Sequence, residues 1–133
     1  MLGDKEAIAT IAVKGIGAAR KFYQDVLGLR AVETQEAGVL SLKSGNSTVL
    51  VYESRYAGTN KATAATWVVG DVESEVKALK GKGVVFEHYD DVPGVTRDGD
   101  IHDTGAFRTA WFKDPTGNIF EVNGGVALED LGV

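Results

Sequence analysis

The sequence predicts an α+β domain made of two βαβββ modules in tandem. Short apolar runs rich in β-branched residues alternate with two amphipathic stretches of helical period. Turn residues punctuate these runs at "SGN" and at "DPTGN". The second half also repeats the element order of the first: Val13 aligns with Val69, Ile16 with Val72 and, after a one-residue slip, Gly28 with Gly83.

The first module is expected over residues 5–53. Residues 7–13, "AIATIAV", suit a buried strand. After the turn at "KGIG", Ile16, Ala19, Phe22, Val26 and Leu27 recur at helical spacing, and Gly28 is placed to end the helix. One strand is expected at "LRAVETQ" and two more at "GVLSLKS" and "STVLVYES". Periodicity lapses over residues 54–62, the expected linker. The second module covers residues 63–125, and residues 126–133 form a tail. In it the strand "TWVV" meets Asp71, an N-cap for a helix whose stripe is Val72, Val76 and Leu79. Lys77, Lys80 and Lys82 lie toward the negative end of its dipole, and Gly83 stops it. Extended structure resumes at "VVFEHYD". "AFRTAWFK" and "NIFEVNG" close the module. Between them residues 89–105 exceed the roughly 12–15 residues of ordinary connections and are expected to form a loop, either a cover over a site or a surface insertion.

Composition narrows the function. At 133 residues, with 44% apolar and 25% charged residues, the chain is that of one compact globular domain. The net charge of −5, with no Lys/Arg stripe, argues against nucleic acid and is compatible with a cationic ligand. Without cysteine there is no disulfide, thiol nucleophile or thiolate metal site. No apolar segment reaches membrane-spanning length, and the N-terminus lacks the layout of a signal peptide. The expected compartment is the cytoplasm, where the sequon at Asn46 would be idle.

One carboxylate stands out. Glu121 lies within the apolar run "NIFEVNG", where an unpaired buried charge would cost several kcal/mol. Strand alternation sets Ile119, Glu121 and Asn123 on one face and Phe120 and Val122 on the other. Glu121 could face a metal, a bound molecule, a lysine, an arginine such as Arg97 or Arg108, a neighbouring threonine, or simply water.

The segments "IAVKGIGAARKFYQDVLGL", "WVVGDVESEVKALKGKGV" and "WFKDPTGNIFEV" together resemble the vicinal oxygen chelate superfamily, which includes glyoxalase I, extradiol dioxygenases and bleomycin-resistance proteins. The resemblance covers nearly the whole chain. It implies the glyoxalase/bleomycin-resistance fold, in which the two modules form a cup-shaped, partly open mixed sheet, and it implies a homodimer. It also implies where metal ligands would stand: a His or Gln five residues before Val13, a His five residues before Val69, and the glutamate after the "GN" turn. In this chain those positions are Ile8, Ala64 and Glu121. Two donors are replaced by hydrocarbon, so no metal or other cofactor is expected. A relocated centre of His102, Asp103 and Glu121 is the metal-dependent alternative; otherwise His102 reads as a solvated loop residue.

The resemblance turns the Glu121 face into the cup, together with Ile8, Thr10 and Ala12 from the first strand and Ala64, Thr66 and Val68 from its repeat. Tyr52 and Tyr56 flank the first module's end, and Phe107, Trp111 and Phe112 lie on the strand beside Glu121. Alternation alone leaves open whether Trp111 or Phe112 points inward. The expected ligand contacts are Ile8, Thr10, Tyr52, Tyr56, Ala64, Thr66, His102, Phe107, Trp111 and Glu121. An apolar surface with few polar anchors suits a hydrophobic or aromatic small molecule. The resulting expectation is a metal-free protein that sequesters or carries such a compound, for which the resemblance implies antibiotic resistance of the bleomycin-resistance type as the precedent. The alternative is a lyase or isomerase with Glu121 as general base.

Overall fold

A computed structural model describes residues 1–32 and 37–125 of the chain. The tail at 126–133, and residues 33–36 at the end of "LRAVETQ", lie outside the described residues. By internal contacts the chain divides into two units. One is Met1–Asn60 with Pro115–Asn118; the other is Lys61–Asp114 with the described part of Ile119–Val133.

The first unit contains β1 (Ala9–Val13), α1 (Ile16–Arg20), β2 (Arg30–Val32), β3 (Val39–Ser44) and β4 (Ser47–Glu53). Its sheet runs in the order β1-β4-β3-β2, with β1 and β4 parallel and the other pairs antiparallel. Alternation places Ile11 and Val13 in the core with Leu40, Leu42, Val49 and Val51, while Thr10 faces outward. Helix α1 continues as a π-helical turn over Lys21–Val26, where the Leu27 N–H reaches back to the Phe22 carbonyl at 3.0 Å. Tyr23, rather than Phe22, is the ring buried completely there, and the edge of one ring meets the other at 5.4 Å. Gly28 ends the helical run at φ +76°, as its position in the sequence predicts.

The turn at 115–118 packs within this first unit. The Lys14 N–H donates to Thr116 Oγ1 at 3.0 Å, and Asn118 Nδ2 donates to the Ala12 carbonyl at 2.8 Å. The turn 115–118, which falls within the sequence of the second module, groups by contacts with the first unit. Along the chain the first unit runs through Asn60 and the second opens at Lys61.

The second unit contains β5 (Thr63–Val69), α2 (Val72–Gly81), β6 (Phe86–Glu87), β7 (Thr96–Asp98), β8 (Ile101–Asp103), β9 (Arg108–Lys113) and β10 (Ile119–Gly124). Asp71 caps α2 by accepting from the Glu73 N–H at 3.1 Å and from Ser74 Oγ at 2.7 Å. The strand order is β5-β10-β9-β8-β7, with β6 also paired to β9. Here β5 runs parallel to β10, just as β1 runs parallel to β4, so the repeated βαβββ order is present. One face of this sheet carries Trp67, Phe86, Phe112 and Phe120, whose ring centroids lie 5.4 to 6.4 Å apart. Val72 and Val76 of α2 are buried as well. Burying each large apolar side chain contributes about 1.5–3 kcal/mol.

The stretch at 89–105, expected as a loop, instead carries the β7–β8 hairpin, which extends the sheet along β9. Its tip is pinned by Asp100, which accepts from Lys80 Nζ at 2.7 Å and bonds His88 Nε2 at 2.8 Å. Arg97 grips the Asp90 carboxylate with two nitrogens, at 2.7 and 2.9 Å. The polar composition that reads as loop in sequence is thus spent on ion pairs that hold a hairpin.

Gly58 lies at φ +81°, and a Cβ there would stand 2.7 Å from the Thr116 carbonyl oxygen. Gly58→Ala is expected to cost about 1–3 kcal/mol through strain and displacement of the 115–118 turn. Thermal denaturation checks this; an unchanged midpoint would mean the turn does not need that close approach.

Candidate functional site

Glu121 stands in mid-β10, opposite Thr66 of β5 on one side and Trp111 of β9 on the other. Its Oε1 accepts from the Thr66 hydroxyl at 3.0 Å. The Thr109 hydroxyl lies within reach of both Glu121 Oε2 and, at 3.0 Å, the Val122 carbonyl, so its single proton serves one acceptor at a time. Asn123 Nδ2 adds a longer contact to Oε2 at 3.4 Å. Neutral donors therefore hold the carboxylate, and no cation pairs with it among the described residues. Arg97 and Arg108, the candidates for that task in the sequence, pair with Asp90 and Glu73 instead.

The register between β5 and β10 shifts beside this carboxylate. Ile119 pairs with Thr63 but Phe120 with Ala65, so Ala64 is skipped. The shift brings Thr63 to the Ile119 side of the sheet. Trp111 uses it: its Nε1–H donates to Thr63 Oγ1 at 3.2 Å, across the intervening β10. The choice between Trp111 and Phe112 is decided here, with Trp111 on the Glu121 face and Phe112 buried in the core.

His102 is completely buried in β8, which corrects its reading as a solvated loop residue. The Tyr89 N–H donates to its Nε2 at 2.9 Å, which leaves the proton of the neutral ring on Nδ1. Its ring meets Trp111 edge-on at 4.9 Å, and Tyr89 meets Trp111 edge-on at 5.4 Å. His102 thus supports the two aromatic rings from inside the sheet. The relocated centre of His102, Asp103 and Glu121 does not assemble. Asp103 follows His102 on the strand and so points to the other face, where it accepts from the Gly105 N–H at 2.8 Å. No cluster of three metal-ligating side chains occurs among the described residues.

The other expected contacts divide between the units. Ile8 precedes β1 and is 56% exposed, Thr10 is exposed on β1, and Tyr52 and Tyr56 are exposed in the first unit. Tyr56 is engaged locally, its hydroxyl accepting from Arg55 Nη2 at 2.7 Å. In the second unit Ala64 and Thr66 are exposed. Phe107 precedes β9 and lies beside Gly125, at the opposite end of that strand from Trp111. Thr66, Trp111 and Glu121 are brought together; Phe107 is not. Thr109, Thr63 and Tyr89 are the site residues the sequence reading missed. Alternation from Trp111 back to Thr109 was the one available signal, usable only once Trp111 was known to face Glu121.

Beside Trp111 lies a pocket of about 250 Å³ lined by Lys61, Ala62, Thr63, Tyr89, Trp111 and Ile119. The donor set at Glu121 does not fit a divalent transition ion. Its neighbours are two hydroxyls and an amide, weak ligands compared with the imidazoles and carboxylates such ions take. The two positions at which the resemblance implies further ligands hold Ile8 and Ala64.

A family model described as Glyoxalase/Bleomycin resistance protein/Dioxygenase superfamily matches residues 7–122. No curated protein matches the chain. Among solved structures, the fosfomycin resistance protein FosX from Listeria monocytogenes is 15% identical over 93% of each chain, with a TM-score of 0.68. Lactoylglutathione lyase from Agrobacterium tumefaciens is 20% identical over 92% of this chain and 96% of that one, with a TM-score of 0.65. TnmS3, an antibiotic binding protein from Streptomyces sp. CB03234, is 16% identical over 92% and 98%, with a TM-score of 0.64. At such identities the likeness is one of fold.

Burial holds the His102 imidazole below its ordinary range, and the Arg97 charge acts in the same direction. The unfolded chain, with a value near 6.5, therefore takes up the proton first. This contribution to stability is complete above about pH 6.5 and is lost as pH falls toward the folded-state value. Urea denaturation should give a smaller unfolding free energy at about pH 5.5 than at about pH 7.5, and His102→Gln should flatten that slope. A slope unchanged in the variant would assign the effect to another group.

Proposed function

The chain belongs to the glyoxalase/bleomycin resistance protein/dioxygenase superfamily, and on that premise we propose that it binds a planar aromatic compound without a metal and sequesters or carries it as a homodimer. The observation that carries this reading is the state of Glu121: a carboxylate held by Thr66, Thr109 and Asn123, beside the indole of Trp111. Where the resemblance implies further ligands, Ile8 and Ala64 offer only hydrocarbon. A face with an aromatic wall and a few fixed polar groups is the usual composition of a small-molecule site. The antibiotic-binding and fosfomycin-resistance proteins among the structural neighbours lend support to a protective role. The competing reading, a lyase or isomerase with Glu121 as general base, needs a free lone pair aimed at substrate and an acid to complement it. Its oxygens keep lone pairs beyond those that accept from Thr66 and Thr109, but the groups around them are hydroxyls, an amide and an indole, none of which is an acid near neutral pH. No helix among the described residues is long and apolar enough to cross a membrane.

Thermal denaturation with a panel of planar aromatic compounds tests the proposal. A true ligand at about 100 times its Kd adds about 2.7 kcal/mol, a shift of several degrees for a domain of this size. Trp111→Ala is expected to abolish the shift, whereas prior treatment with a chelator leaves it intact. Stoichiometric transition metal in the purified protein, or loss of binding on chelation, would overturn the reading. Turnover in the wild type that disappears in Glu121→Gln would favour the enzymatic alternative.

A further inference from the structure

The pocket beside Trp111 is built of apolar walls and hydrogen-bond donors. Trp111, Ile119 and the ring of Tyr89 supply the flat and aliphatic surfaces. Its remaining polar side chains are Lys61, Thr63 and Tyr89. Each of these can donate, and no carboxylate is present in the lining. Thr63 Oγ1 accepts from the Trp111 indole, which leaves the Thr63 hydroxyl proton to point elsewhere. Burial and the neighbouring Glu87 charge push the Tyr89 phenol up, so it remains an O–H donor at neutral pH. Lys61 is exposed and enters no ion pair among the described residues.

The two nearest carboxylates are each engaged by another group. Glu87 is paired with Lys113 at 2.9 Å. Glu121 lies opposite Trp111 and two residues along β10 from Ile119, and its oxygens are turned to Thr66 and Thr109. The pocket is slightly smaller than the roughly 300–1,000 Å³ typical of drug-sized ligands, which limits its occupant to one or two rings.

We propose that this pocket selects small aromatic carboxylates, with the ring against Trp111 and Tyr89 and the carboxylate at Lys61 and the Thr63 hydroxyl. The inference rests on the reading of the protein as a binder of aromatic compounds and assigns the charge of its ligand. The protein's net charge of −5 would favour a cation, but a contact a few ångströms away outweighs a screened global charge. The Tyr89 backbone is held by its N–H bond to His102 and its ring meets Trp111 edge-on at 5.4 Å, so this aromatic wall is preorganised.

Titration of the full chain with benzoate, benzamide and benzylamine, and with 2-naphthoate and its amide, tests this. The readout is the ¹H–¹⁵N signal of the Trp111 indole N–H, distinguished from that of Trp67 by a Trp111→Phe variant. The carboxylates are expected to bind about three- to fivefold more tightly than the matched amides, the range set by an exposed ion pair. Lys61→Met should remove that preference and leave amide affinity unchanged, and Lys61→Glu should transfer it to benzylamine. Equal or tighter binding of amide or amine to the wild type, or a carboxylate preference that survives Lys61→Met, would overturn the inference while the aromatic-binding reading stands. If no compound of any charge moves the Trp111 signal, both fail.

Discussion

The pairing of β5 with β10 is the constraint on which the second unit depends. It joins strands some fifty residues apart in sequence, and the entropy of closing that loop must be met by contacts the pairing itself creates. On one face those contacts are rings and aliphatic groups, with Trp67 against Phe120 at 5.4 Å. On the other they are polar, with Thr66 against Glu121 at 3.0 Å. The Glu121 carboxylate is half-buried in an apolar strand, and this register, together with that of β9, brings a hydroxyl within reach of each of its oxygens. The same register sets Trp111 opposite Glu121, so the polar anchor and the aromatic wall arise from one event.

The register shift at Ala64 has a consequence for the site's chemistry. Skipping one residue lets Thr63 and Thr66 both serve the face that carries Glu121. Thr66 binds the carboxylate, while Thr63 receives the indole proton of Trp111. Two hydroxyls three residues apart thereby do two jobs: one holds the anion and the other orients the ring. His102 completes the arrangement from within, since its ring meets Trp111 and its Nε2 accepts from the Tyr89 backbone. A buried imidazole in this role is costly to charge, which links the ordering of the aromatic wall to pH.

The polar connection at 89–105 illustrates how composition misleads. Its Asp, Arg and Gly residues resemble those of a mobile cover, yet they form a two-stranded extension of the sheet fastened by Asp100 and by the Arg97–Asp90 pair. Charges spaced along a chain read as solvation until partners from other elements are known. Lys80 comes from α2 and His88 from the segment after β6, and neither pairing is visible in a local window.

Much of this protein was legible in the chain alone. The α+β class, the repeated βαβββ order, the Asp71 cap, the ends at Gly28 and Gly83, and the face shared by Ile119, Glu121 and Asn123 all follow from local rules. Helical and strand periods and the backbone freedom of glycine act over a few residues, so a linear reading captures them. The tertiary structure decided everything that required a partner from a distant segment. It supplied threonines rather than an arginine for Glu121, chose Trp111 over Phe112, buried His102, and turned a loop into a hairpin. These outcomes depend on the registers of β5, β9 and β10, and a shift of one residue, as at Ala64, changes which side chain meets which neighbour.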